Sequence, residues 1–358
     1  MTTHLGRSIL GSGERILLVR LGAIGDIVFS SPLVAAFRRA YPRARIAWMV
    51  RPDCASLLEH HPDLDELILW PGDDWQRLWQ GRQWRALIAA IQDFRARLRG
   101  KGFDVAVDLQ GLLKSGFLTW LSGARERIGL GSREGSQAFM TRSIPRGGEI
   151  KRIGSEYRFL AENLGLPVDD FAMAIHPGPG DLTFAADLIQ GQGLGEGYAV
   201  LCPFTTRPQK HWFEDRWATL AGRIQEGLGL PVLLLGGPAD REAAARIRAQ
   251  TGLDLRDLTG RTSLLQAAAL IQRSQLVIGV DTGLGHMGIA FGRPSLLLFG
   301  STCPYLETGQ ANAKVLYHPR PCSPCKRRPT CHGAYDCMRD IGVDEVTRAA
   351  RVLLEATP

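Results

Sequence analysis

No apolar run in this chain reaches the ~18 residues that a bilayer-spanning helix needs, so the sequence offers no integral membrane helix. The opening stretch, MTTHLGRSILGSGERILLV, lacks a long apolar core and a small-residue cleavage site, so no signal peptide is expected. The expected location is therefore the cytoplasm. There is no Lys/Arg block and no RNA-binding signature. A nucleic-acid partner is not expected, although the net charge is +7 and the pI about 9.2. That charge fits an anionic partner such as a phosphorylated lipid or an acidic sugar, and fits an Arg-rich composition equally well. Low-complexity tracts and the period of a solenoid repeat are also missing.

Cysteine is sparse over most of the chain: Cys54, Cys202 and Cys303 stand alone. The other four, Cys322, Cys325, Cys331 and Cys337, are crowded together. Cytosolic thiols stay reduced, so such a cluster reads as a metal site before it reads as disulfides. Four thiolates can close a tetrahedral zinc or iron site. The spacing is that of neither a standard zinc finger nor a ferredoxin. The expectation is a structural Zn or Fe, with reduced, unligated thiols as the alternative, and no catalytic cofactor.

What the chain does have is βαβ rhythm. RILLV, RIAWMV (45–50), LILW and FDVAVDLQG (103–111) read as strands, with helical patterns such as SPLVAAFRRAYP and ASLLEHHPDL between them. After HPGPGD and GQGLGEG the rhythm restarts through YAVLCP, PVLLLGGP, LVIGVD and PSLLLFG. This predicts an α/β protein of two doubly wound, Rossmann-like domains facing across a cleft. The expected organisation is an N-terminal domain over 1–175, a linker over 176–196 and a C-terminal domain over 197–342 carrying the Cys cluster. A final helix over 343–358 is expected to pack on the N-terminal domain. One stretch stands apart, 73–102, with Trp84, Leu87, Ile88, Ile91, Phe94 and Leu98 at helical spacing and Arg85, Arg95, Arg97 and Arg99 opposite. It reads as a surface helix over the sheet, or as a basic, Trp-bearing face for a membrane or an acidic acceptor.

Four motifs sit where strands should end. RLGAIGD (20–26) is not G-x-G-x-x-G, which argues against a nicotinamide-dependent oxidoreductase, although Asp53 stands near where a ribose-binding acid would be needed. Asp26 is either an acid favoured by a helix N-terminus or a general base at the carboxyl edge of the sheet. LVIGVDTGLGHMGIAFGRP (276–294) places Asp281, Thr282 and Gly283 at a strand-to-helix turn. The free N–H groups of such a turn suit a diphosphate, with His286 one turn along. PFTTRPQKHWFEDRW (203–217) offers Thr205, Thr206 and Lys210 as donors to phosphate oxygens. VDLQGLLKSG (107–116) brings Gln110, Lys114 and Ser115 to the same sheet edge as Asp26.

Together, in this order, RLGAIGDIVFSSP, DLQGLLKS, TTRPQKHW and GVDTGLGH resemble the motifs of glycosyltransferase family 9, the ADP-heptose:lipopolysaccharide heptosyltransferases, over nearly the whole chain. VDLQGLLKSG and TTRPQKHW resemble the heptosyltransferase I branch. The resemblance implies a GT-B fold with the acceptor on the N-terminal domain and the ADP-sugar on the C-terminal one. It implies an inverting transfer of heptose from ADP-heptose to a Kdo hydroxyl of Kdo-lipid A, with Asp26 as base and Lys210 neutralising the diphosphate. Thr205, Thr206, Asp240, Asp281, Thr282, Gly283 and His286 then fall on the donor side, and Gly25, Arg77, Lys114 and Ser115 on the acceptor side. It further implies peripheral contact with the cytoplasmic face of the inner membrane. The Cys-rich tail departs from the heptosyltransferase I pattern. A different acceptor, such as the second core heptose or another glycan, or a different nucleotide sugar, is the alternative within the family. A four-cysteine metal-binding module or a nucleic-acid-binding module would leave Asp26, Lys210 and the DTG turn unexplained.

Overall fold

The computed structural model describes residues 15–195, 197–302, 305–325 and 328–356. Cys303 and the first fourteen residues lie outside them. The chain divides into two compact units: Met1–Glu149 with Gly154–Met173, and Ile150–Ile153 with Ala174–Pro358.

The first unit holds a six-stranded sheet of β1 (Arg15–Val19), β2 (Arg45–Val50), β3 (Glu66–Leu69), β4 (Val105–Asp108), β5 (Glu126–Leu130) and β6 (Arg142–Ile144). All pairings are parallel and the order is β3-β2-β1-β4-β5-β6. Ile16 to Val19 of β1 are wholly buried. A parallel strand covered on both faces needs such an unbroken apolar run rather than alternation. The second unit repeats the plan with β7 (Ala199–Cys202), β8 (Val232–Leu234), β9 (Arg256–Asp257), β10 (Leu276–Val280), β11 (Ser295–Phe299) and β12 (Ala313–Tyr317). Its order is β12-β11-β10-β7-β8-β9, again parallel. Both orders are the Rossmann 3-2-1-4-5-6 pattern. The strand order therefore reverses between β1 and β4 in one unit, and between β7 and β10 in the other. Ligands of such sheets bind beyond the carboxyl ends of the strands at that reversal.

Three expectations are corrected. The stretch 176–196, expected as a linker, belongs to the second unit and carries the helix Pro179–Gly191. Asp181 accepts from the Gly178 N–H at 3.0 Å and Pro179 occupies the first turn, so HPGPGD works as a helix start rather than a break. The C-terminal helix Val343–Glu355 belongs to the second unit, not the first. Its Val346, Ala349, Ala350 and Leu353 join a core with Trp217, Ile224, Leu296 and Leu298. The stretch 73–102 is two helices, Gly72–Gln80 and Trp84–Gly100, broken at a turn where Arg82 has a φ of 54°. Leu87, Phe94 and Leu98 are buried, but Trp84 and Ile88 are exposed.

Candidate functional site

In the first unit the chemistry-bearing residues gather at the strand-order reversal. β1 ends at Val19, and Asp26 lies in the first turn of the helix Ile24–Ser30. Its Oδ2 accepts from the Ala23 N–H at 3.2 Å and pairs with the Arg20 guanidinium. Both contacts use the same oxygen, and the side chain is 40 % exposed. Oδ1 has no hydrogen-bond partner among the described residues. One oxygen of Asp26 is thus anchored, and the other faces no described hydrogen-bond partner.

Arg20 is the residue that motif reading passed over. It is 6 % exposed and donates to Leu109 O at 3.1 Å. Burial disfavours its charge, but the buried Tyr157, Asp26 and Glu156 outweigh that and hold it firmly cationic. The signal that could have found it is an arginine placed directly after four wholly buried apolar residues. Such a group must find partners, and a carboxylate stands six residues on, at Asp26.

The DLQG turn after β4 closes the other side. Leu21 N–H donates to Gln110 Oε1 at 3.2 Å, and Arg146 reaches both Gln110 O and Glu156. Gly111 has a φ of +69°, and a Cβ there would stand 2.4 Å from Leu130 O, so only glycine fits. Asp108 accepts from the N–H groups of Gln110 and Gly111 at 2.9 and 3.0 Å and from the Ser115 hydroxyl at 3.0 Å. Burial still pushes the Asp108 carboxyl up. Ser115 is wholly buried and spent on Asp108 and the Leu112 backbone. Its assignment to the acceptor is therefore corrected: it builds the turn. Lys114 is exposed at its surface side, with its Nζ 4.6 Å from the centre of the Trp70 ring. Partial desolvation of the ammonium first, and Arg51 second, lower its pKa. Backbone pairing of Arg51 N–H with Leu21 O places Arg51 beside the Asp26 turn. Gly25 lies in that turn. Arg77 is exposed on the helix Gly72–Gln80 and paired with Asp74.

In the second unit the loop after β7 and the turn after β10 meet. Lys210 Nζ lies 2.6 Å from Asp281 Oδ2, both partners being largely buried. Asp281 Oδ1 lies 3.1 Å from His286 Nε2, and Thr302 donates its hydroxyl to Oδ2 at 2.6 Å. Burial alone would raise the Asp281 pKa, but the His286 hydrogen bond and the charges of His286 and Lys210 hold the carboxyl well below its usual range. Thr302, after β11, is a second residue that motif reading missed. Thr282 precedes the helix Gly283–Ala290, whose first N–H groups have no intrahelical acceptor. That helix lies tight on the sheet: a Cβ on Gly288 would stand 2.5 Å from Ser295 Oγ. Thr205 and Thr206 lie in the loop before Lys210, and Thr205 O is 2.8 Å from His211 Nε2. Asp240, beyond β8, accepts from Gly237 N–H at 2.8 Å. It is not in the Lys210–Asp281 cluster.

The four clustered cysteines are unevenly placed. Cys322 is exposed, Cys325 and Cys331 are half-buried, and Cys337 is buried. Burial, and then the other three thiols, push the Cys337 thiol up, so all four are electrostatic neighbours. Among the described residues, no three His, Cys, Asp or Glu side chains converge as the shell of a metal ion.

The profile of Glycosyltransferase family 9 (heptosyltransferase) matches residues 91–335. Lipopolysaccharide heptosyltransferase 1 of Pseudomonas aeruginosa is 31% identical over 88% of this chain and 87% of its own length. This chain belongs to glycosyltransferase family 9. Among solved structures, E. coli heptosyltransferase WaaC with ADP is 25% identical with a TM-score of 0.73, over 95% of this chain and 99% of that one. The family 9 glycosyl transferase from Veillonella parvula has a TM-score of 0.83 at 24% identity, over 96% of this chain and 98% of that one. The family 9 chain is thus a glycosyltransferase of the heptosyltransferase family, and its two Rossmann-like units are the GT-B architecture. No helix among its described residues is long and apolar enough to cross a membrane.

Proposed function

We propose that this glycosyltransferase moves heptose from ADP-heptose to a Kdo hydroxyl of Kdo-lipid A, in lipopolysaccharide synthesis at the cytoplasmic face of the inner membrane. The observation that carries the reading is Asp26 at the strand-order reversal, anchored through Oδ2, with no partner on Oδ1 among the described residues. An acceptor hydroxyl approaching Oδ1 loses its proton to that oxygen as its own oxygen attacks the anomeric carbon. The bond to the diphosphate breaks in the same displacement, the anomeric centre inverts, and ADP leaves. Arg20 keeps the base in place.

Charge builds on the departing diphosphate, and preorganised donors stabilise it best. Lys210 and the N-terminus of the helix Gly283–Ala290 supply them in the second unit, with Thr205, Thr206 and Thr282 as further hydroxyl donors. Asp240 is assigned to the nucleotide ribose. On the acceptor side Lys114, with Arg77 and the Gly25 turn, receives the acid groups of the Kdo sugar. The likeness to lipopolysaccharide heptosyltransferase 1 supports this acceptor, and the solved WaaC complex with ADP supports this donor.

The chain's own groups supply both base and charge neutralisation, so no catalytic cofactor enters the reading. A structural zinc or iron on Cys322, Cys325, Cys331 and Cys337 is part of the proposal, and its donor set is chemically right. The four thiols would have to draw together to hold it. Metal analysis of the purified protein beside Cys331→Ser tests this; equal, near-zero metal in both leaves the thiols unligated. The transfer itself is tested by ADP release from ADP-heptose with Kdo2-lipid A, for wild type and Asp26→Ala. Release lost in the variant, with ADP still bound, supports the reading; no release by wild type overturns it.

A further inference from the structure

Ten large hydrophobic side chains are notably exposed among the described residues, and six of them fall between Leu69 and Trp120. Three are contiguous. Trp79 is 62% exposed and Trp84 45%, and their rings meet edge to face with centroids 4.8 Å apart. Ile88, 55% exposed, lies one turn beyond Trp84 on the same stripe of the helix Trp84–Gly100. A folded chain leaves such residues scattered singly as a rule, so a joined group of this size needs a reason.

Its surroundings are cationic. Between Trp75 and Lys101 the sequence has seven basic residues and one acid, Asp93. Asp93 is already paired with Arg97, and Asp74 with Arg77. Arg82 and Arg85, which flank Trp84, have no ion pair among the described residues. The positive φ at Arg82 marks the sharp turn that brings Trp79 back onto Trp84.

The patch also has a definite place in the first unit. The helix Trp84–Gly100 returns the chain from the carboxyl end of β3 to the start of β4, so it runs antiparallel to the strands. Its first residues therefore lie at the carboxyl end of the sheet, the end that carries Asp26 and Lys114. Leu69 and Leu113, 51% and 48% exposed, close β3 and open the helix Leu113–Leu121 at that same end.

We infer that Trp79, Trp84 and Ile88, with Arg82 and Arg85, form a docking face for a bilayer surface carrying anionic headgroups. Tryptophan is at home at the level of the headgroups, where its ring is half apolar and half wet. Arginine beside it meets the negative surface. This rests on the proposed reading only in giving that face a purpose: it brings the end of the sheet with the base to the surface where a lipid-borne acceptor lies.

The test is sedimentation with vesicles of phosphatidylcholine, with and without phosphatidylglycerol, in the absence of donor and acceptor. Wild type should bind the phosphatidylglycerol vesicles, with a blue shift of its tryptophan emission and weaker binding at raised salt. Arg82→Gln and Arg85→Gln should each weaken binding roughly fivefold, the worth of one surface charge at an anionic membrane. The pair Trp79→Ala and Trp84→Ala should abolish it while leaving the melting temperature intact. Transfer to an acceptor stripped of its acyl chains, without vesicles, should be unchanged in that double variant, and it reads the transferase proposal separately. Three results overturn the inference: wild type ignoring the vesicles, variants binding as wild type does, or self-association of wild type that the double variant loses. The last would make the patch a contact between copies of this chain.

Discussion

Lys210 Nζ lies 2.6 Å from Asp281 Oδ2, and the same carboxylate is held by His286 and Thr302. The cation assigned to the diphosphate is therefore already matched by an anion that positions it. Asp281→Asn should strand the Lys210 charge in a largely buried place. The expected cost is roughly 3 kcal/mol, the low end for breaking a buried pair by removing one partner. The effect also has a pH signature. The Asp281 carboxyl is held below its usual range, so its contribution is complete above the unfolded value of about 4. It is lost as pH falls below that toward the lower folded value. Melting curves over a pH series should show wild type losing its advantage over Asp281→Asn as the solution is acidified. Equal melting of both at neutral pH would contradict the role given to this pair.

Asp26 and Arg20 separate a chemical role from a positioning one. Asp26→Asn keeps the shape and the Ala23 contact but cannot take a proton. The rate of ADP release should fall by roughly 10²–10⁴, the usual worth of a positioned base, with acceptor KM nearly unchanged. Because the buried Arg20 loses its anion, melting should fall too, and the rate is read well below the melting temperature. Arg20→Met removes the group that holds Asp26 and leaves Leu109 O without its donor, at about 1–3 kcal/mol. Arg20→Lys, which keeps a charge, should recover part of the rate lost in Arg20→Met. A lysine variant no better than methionine would mean that Arg20 acts through packing alone.

The strands that cross the middle of each sheet were legible because a doubly covered parallel strand must be an apolar run, as in RILLV and LVIGV. The sheet edges were not: β9 is two residues long and half-buried, and β6 is three residues with two of them exposed. Nor does an amphipathic face name its partner, so Val343–Glu355 was assigned to the wrong unit. For the same reason the apolar spacing of 84–98 does not say that only Leu87, Phe94 and Leu98 reach the core while Trp84 and Ile88 stay exposed. The motif acids and cations were legible because they stand at strand ends. Arg20 and Thr302 were not, because one lies inside a motif known for its acid and the other in a loop with no pattern. Ser115 was misread because a hydroxyl at a sheet edge looks the same in sequence whether it faces a ligand or caps a buried carboxylate.

Ser115→Ala measures that last distinction. The hydroxyl satisfies Asp108 Oδ2, and both side chains are wholly buried. Its loss should cost about 1–3 kcal/mol by leaving that oxygen unpaired. Acceptor KM should stay at the wild-type value when measured well below the melting temperature. A raised KM with unchanged melting would return Ser115 to the acceptor site.

Lys114 gives the reading of an acidic acceptor its own pH test. Partial desolvation and the neighbouring Arg51 hold its pKa below that of a free lysine, about 10.4. An acceptor carboxylate is bound by the charged form, so the sign is fixed: binding weakens as pH rises, and weakens earlier than an ordinary lysine would allow. Acceptor KM should climb on the alkaline side while donor KM, which does not involve Lys114, follows a different course. Lys114→Met should raise acceptor KM at neutral pH and remove the alkaline rise. The Trp70 ring would still cover the apolar stem of the replacement, so the variant should fold. If the alkaline rise survives in Lys114→Met, the group that titrates there is another one, and the acceptor's acid is held elsewhere.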